Sequence, residues 1–131
     1  MKNIFLLFCL LIILGCDSDK ILTSDTIKVS ELTKEWVHSR EEEIDSVRIY
    51  RPAGFKHFPS SRYRQKYIFK DDGLCKYYVL HPGDAHYYEV GTWTYNENDQ
   101  RLIIYDSSKN VESEFRILIL NRFMLKVVRM N

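Results

Sequence analysis

The chain has 131 residues, 19 basic and 18 acidic, with 45% hydrophobic and 14% aromatic side chains. That length suits one domain, and a charge balance this close to zero gives no electrostatic basis for gripping nucleic acid. No internal repeat or low-complexity tract divides it.

The first element is an unbroken apolar run, Ile4 to Leu14, behind Lys2. As a helix it would reach roughly 16 Å, short of the ~30 Å hydrocarbon core, so it reads as a signal-peptide core rather than a span. Ile13-Leu14-Gly15-Cys16 resembles the bacterial lipobox, in which a small residue precedes a lipid-modified cysteine. The resemblance implies a diacylglyceryl thioether on Cys16, cleavage of residues 1–15, and a mature chain of 116 residues. At about 0.8 kcal/mol per buried CH₂, two or three acyl chains make the membrane a partner through Cys16. Cys9 leaves with the signal and Cys16 is occupied, so Cys75 has no disulfide partner. It reads as a small buried residue in a strand. Asp17-Ser18-Asp19 follows the lipidated position. In lipoproteins of Bacteroidota-type envelopes such acids resemble a surface-export signal, and elsewhere an Asp here implies inner-membrane retention. The first favours the outer membrane.

Residues 16–34 read as the lipidated N-terminus and a spacer. Ile27 to Glu35 has the composition of one short helix, with Ser30 as its cap and Glu31 in the first turn. From residue 35 to 131 the pattern is strand after strand. Trp36 to Arg40 opens it. Tyr63 to Lys70 alternates, Tyr67 and Phe69 on one side with Tyr63, Arg64 and Lys66 on the other with Lys70. Asp71-Asp72-Gly73 marks a hairpin turn. Leu74 to Leu80 runs back, His81 to Asp84 turns, His86 to Tyr95 follows, and Asn96 to Asp99 turns again. "RLIIYD", "SEFRILIL" and "MLKVVRM" complete the series. Short loops mean antiparallel neighbours. The expected fold is all-β: an antiparallel meander of seven or eight strands, closed as an up-and-down barrel because closure removes both edges.

Tyr50-Arg51-Pro52, Phe58-Pro59-Ser60-Ser61-Arg62, Asp72-Gly73 and Gly91-Thr92-Trp93, from Trp36 onward, resemble the small lipocalin-like lipoproteins of Bacteroidota-type envelopes. The resemblance implies an eight-stranded calyx on a lipid anchor and carries no reaction with it. Lipocalins begin their first strand with Gly-x-Trp; here Thr33-Lys34-Glu35 precedes Trp36, and Gly91-Thr92-Trp93 falls mid-chain.

Two constellations are candidate sites. The first is the set of aromatics expected to face the barrel interior: Trp36, Tyr67, Phe69, Tyr77, Trp93, Tyr95 and Phe115. Such a barrel either fills itself with side chains or holds one small ligand. The second lies between Asp45 and Asp71, an acid-free interval rich in Arg, Lys and aromatic rings. Arg51, Arg62 and Arg64 are its candidate anion ligands; the competing reading pairs the interval with Glu41-Glu42-Glu43 across adjacent strands. His81, Asp84 and His86, with His57, have metal-ligand chemistry, but Pro82-Gly83 accounts for their turn and no metal is assigned. No G-x-S-x-G, phosphate loop or paired catalytic carboxylates stand out, so neither a cofactor nor an enzymatic activity is expected. The expected role is binding: a small apolar or amphipathic ligand inside the barrel, or an envelope protein or glycan on a basic, aromatic outer face.

Overall fold

The computed structural model describes residues 27–131 apart from residue 84. The signal segment, Cys16, most of the spacer and Asp84 lie outside the described residues. Eight antiparallel strands close into a barrel: β1 (Glu35–His38), β2 (Val47–Pro52), β3 (Lys66–Phe69), β4 (Leu74–Leu80), β5 (His86–Asn96), β6 (Arg101–Tyr105), β7 (Val111–Asn121) and β8 (Met124–Arg129).

From β3 to β8 each strand pairs with the next. The turn chemistry matches: Gly73 adopts φ +80°, and the Asp72 carboxylate accepts the Leu74 amide at 3.0 Å. The order departs from a simple meander at one place. β1 lies between β2 and β3, with Trp36 opposite Pro52 on one side and Tyr67 on the other, while β2 closes the barrel against β8. β2 and β3 therefore run in the same direction. The connection between them, residues 53–65, climbs the outside of β1 from one barrel end to the other. Consecutive strands that run in parallel need such a long crossover, here across β1, and this is the longest connection in the barrel.

β2 has no counterpart among the strands read from sequence. Tyr50 is buried inside the barrel, and Ile49 is buried on the outer side, where the 3₁₀ turn Arg40–Glu42 packs on β2. A strand buried on both faces loses the alternation that reveals a strand. The expected helix is a 3₁₀ turn, Val29–Leu32, and Ser30 is not its cap. Lys28 holds that position, and the Ser30 carbonyl accepts the Thr33 hydroxyl at 2.8 Å. Leu32, with no exposed surface, seals this end of the barrel, and its carbonyl takes the Trp36 indole N–H at 3.0 Å.

The interior is a continuous cluster of Trp36, Tyr50, Tyr67, Phe69, Cys75, Tyr77 and Phe115 with Leu, Ile and Val. Ring contacts cross it: Tyr50 to Tyr67 at 5.6 Å, Tyr67 to Phe115 at 6.0 Å, Tyr67 to Phe69 at 5.7 Å. Those distances are ordinary for packed aromatic pairs.

Candidate functional site

All seven interior candidates share the core. Trp36, Tyr67, Phe69, Tyr77 and Phe115 are buried, and Trp93 and Tyr95 pack against them, partly buried. Tyr67, Phe69, Phe115 and Trp93 spend ring faces or edges on one another. Phe69 meets Trp93 edge-on at 5.6 Å, and the Trp93 indole N–H donates to the Lys70 carbonyl at 2.9 Å. Burial raises the pKa of the Cys75 thiol to about 11, which keeps it protonated and without nucleophilic character at neutral pH. Burial also raises the Tyr67 phenol, whose hydroxyl donates to Ser113 at 3.4 Å.

The three arginines separate. Arg51 forks onto Glu42, Nε to Oε2 at 3.0 Å and Nη2 to Oε1 at 2.5 Å, and its Nη1 donates to the Phe123 carbonyl. Arg64 forks onto Glu41 at 3.1 and 2.6 Å, and donates to the carbonyls of His38 and Pro59. Lys56 adds a third cation, 3.0 Å from Glu42. These pairs join the acidic run to the basic interval, as the competing reading supposed, but from a 3₁₀ turn rather than a strand. They clasp the 53–65 connection to the barrel. The forks hold the Glu41 carboxyl at a pKa of about 2 and the Glu42 carboxyl well below the usual range. Arg62 is exposed and lines a cleft.

That cleft, about 440 Å³, opens on the outer face between the 53–65 connection and β1, β3 and β4. Its lining includes Glu35, Val37, Phe58, Arg62, Tyr63, Lys66, Tyr78 and His86. Tyr63 precedes β3, outside the strand, and its ring stacks on Tyr78 at 5.8 Å with planes 3° apart. Its hydroxyl donates to the Tyr78 carbonyl at 2.6 Å, beside the Gln65 side-chain amide. Burial lifts that phenol to about 12. His86 tilts against both rings, and Tyr88 continues the aromatic wall at 5.0 Å from Tyr78. The Lys66 ammonium lies 5.8 Å over the Tyr78 ring and 4.0 Å from Glu35.

Among its described lining residues the cleft brings aromatic surface together with Lys66, Arg62 and the Glu35 carboxylate. Tyr78, Tyr88 and His86 stand on the outer face because they occupy even positions of a hairpin whose odd positions face inward. That alternation was readable in the sequence, but the connection that roofs the cleft was not.

The imidazoles do not converge. Among the described residues no three His, Cys, Asp or Glu side chains could hold one metal ion. His81 Nδ1 accepts the Gly83 amide at 3.2 Å, His86 belongs to the cleft, and His57 is exposed on the connection. Nor is any helix among them long and apolar enough to cross a membrane.

No family model, curated protein or solved structure matches the chain.

Proposed function

We propose that this is a lipid-anchored cell-envelope protein of the lipocalin-like group its motifs resemble, held at the outer membrane through Cys16, that works by binding rather than catalysis. The binding surface is the outer cleft. One contrast carries this reading: the described interior residues pack into one buried cluster of aromatic and aliphatic side chains, while about 440 Å³ lies open on the outer face between Tyr63, Tyr78, His86 and Lys66. That volume is within the range of small-ligand sites. Ring faces and edges suit a sugar or other ring-bearing ligand, and the Lys66 ammonium over the Tyr78 ring suits a negative charge on it. The ligand class is therefore an acidic glycan of the envelope, or its end.

A panel of glucuronate-containing and neutral oligosaccharides, titrated by calorimetry, tests this. The acidic members bind and the neutral ones bind more weakly. Tyr78→Ala weakens Kd about tenfold, the equivalent of one lost aromatic contact of roughly 1.5 kcal/mol. Equal, unselective affinity that Tyr78→Ala and Lys66→Glu leave unchanged would refute the cleft as the site.

A further inference from the structure

The barrel end at which the chain enters carries an exposed aromatic pair. Phe123, in the β7–β8 turn, is 48% exposed, and Phe55, just past β2, is 43% exposed. Their rings lie 6.2 Å apart. A guanidinium covers each: Arg122 at 4.4 Å from the Phe123 centroid, Arg51 at 4.7 Å from that of Phe55. Arg51 is tied to Glu42, but among the described residues no ion pair engages Arg122. The 3₁₀ turn Val29–Leu32 packs against β7 at this same end. Arg122 is near enough to Glu31 to add slightly to the fall in that carboxyl's pKa, which Lys34 chiefly causes.

Burying a phenylalanine side chain fully is strongly favourable. Two half-bare rings on a turn and a loop forgo part of that gain unless something outside the chain covers them. We propose that the covering surface is the phospholipid bilayer: Phe55 and Phe123 seat at the headgroup level, and Arg122 meets anionic headgroups.

The proposal rests on the reading of Cys16 as the lipid anchor. Cys16 stands eleven residues before Ile27, a reach of at most about 40 Å fully extended, and the chain joins the barrel at the docking end. An anchored domain meets the membrane at high effective concentration, so a weak contact suffices. One arginine near an anionic surface is attracted to it, and the rings add their interfacial burial.

Charge is uneven round this rim. The β3–β4 turn, across the rim from the β7–β8 turn, carries Asp71 and Asp72, while the β5–β6 turn, beside β7, carries Glu97 and Asp99, the latter paired with Arg101. Repulsion of the β3–β4 turn from anionic headgroups tilts the barrel with Arg122 lowermost. The opposite end, with the 106–110 and 81–85 turns, faces away from the bilayer.

Hydrogen exchange on the full chain, extracted with its anchor and reconstituted in vesicles, reads this contact. The vesicles are phosphatidylcholine with phosphatidylglycerol, and phosphatidylcholine alone. With the anionic vesicles, amides 121–124 exchange about tenfold more slowly than in an Arg122→Glu/Phe123→Ser variant, the factor that corresponds to about 1.4 kcal/mol. The slowing is smaller in phosphatidylcholine alone, and turn 106–110 does not change. Unaltered protection of the barrel strands shows that the variant is folded. Mass analysis of the N-terminal fragment reports the anchor separately. Acylated Cys16 with equal exchange in wild type and variant overturns the docking and leaves the anchor standing. Unmodified Cys16 overturns both. Protection that persists in detergent together with a doubled mass assigns the patch to a second copy and also overturns the proposal.

Discussion

Inside the barrel the buried Tyr50 hydroxyl has no well-formed hydrogen bond among the described residues, only Arg48 nearby. Burial drives that phenol's pKa far up, the neighbouring Tyr67 adding to it and Arg48 opposing it. An unsatisfied buried hydroxyl costs about 1–3 kcal/mol, whereas the tyrosine ring is well placed, stacked on His38 at 5.0 Å. Tyr50→Phe therefore keeps the packing and removes the orphan, and urea unfolding should show a stability equal to or about 1 kcal/mol above wild type. A clear loss would mean that a water or ligand atom completes the hydroxyl in solution. His38 responds to acid. Burial lowers its pKa from 6.5 despite the pairing of its Nε2 with Glu43. The unfolded chain then binds the proton more readily than the folded one. The contribution to stability is complete above about pH 6.5 and is lost as pH falls below it. Glu41 and Glu42, held low by Arg64 and Arg51, add a second loss below about pH 4.5. Unfolding midpoints followed from pH 8 to 3 should fall in two stages, and His38→Gln should remove the upper stage only. Cys75, with its thiol lifted to about 11, should resist iodoacetamide at pH 8 until the barrel unfolds.

At the scale of elements, Gly91 sets the turn of β5 from β4 to β6. A Cβ there would lie 2.0 Å from the Tyr105 carbonyl oxygen and 3.2 Å from the Tyr77 ring. The first atom is backbone and cannot step aside, so Gly91→Ala should cost more than about 2 kcal/mol in urea unfolding. The clasp is different in kind. Its carboxylates, Glu41 at 36% and Glu42 at 31% exposure, are wet enough that each pair is worth roughly 1 kcal/mol or less. Glu41→Gln with Glu42→Gln should speed hydrogen exchange across 56–64, lower the thermal midpoint modestly at neutral pH and remove the lower acid stage. Strands β3 to β8 were legible because each has one wet face and one core face: Tyr77 and Cys75 inward, Lys76 and Tyr78 outward. β2 was not, since Ile49 and Tyr50 are buried on opposite faces. The insertion of β1 beside β3 was not legible either, because no residue of β1 distinguishes a β2 partner from a β3 partner. For the same reason the cleft was hidden. Tyr63 reads as the first residue of β3 until the long connection is seen to place it outside, against Tyr78.

At the scale of the molecule, the placing of β1 between parallel β2 and β3 requires a long connection, the connection roofs a cleft, and aromatic side chains pack into the interior core. On the proposed reading the lipid on Cys16 fixes where this cleft works, and the Phe55–Phe123 end fixes which way it faces. The central claim is that binding occurs outside the barrel. Native mass spectrometry of protein extracted from its own membrane, wild type beside Tyr78→Ala, tests that most directly. The account predicts an acylated wild-type chain carrying a retained acidic-glycan mass that the variant lacks. A retained mass that survives Tyr78→Ala, or one that is a purely apolar molecule, would place binding in the interior and contradict the account.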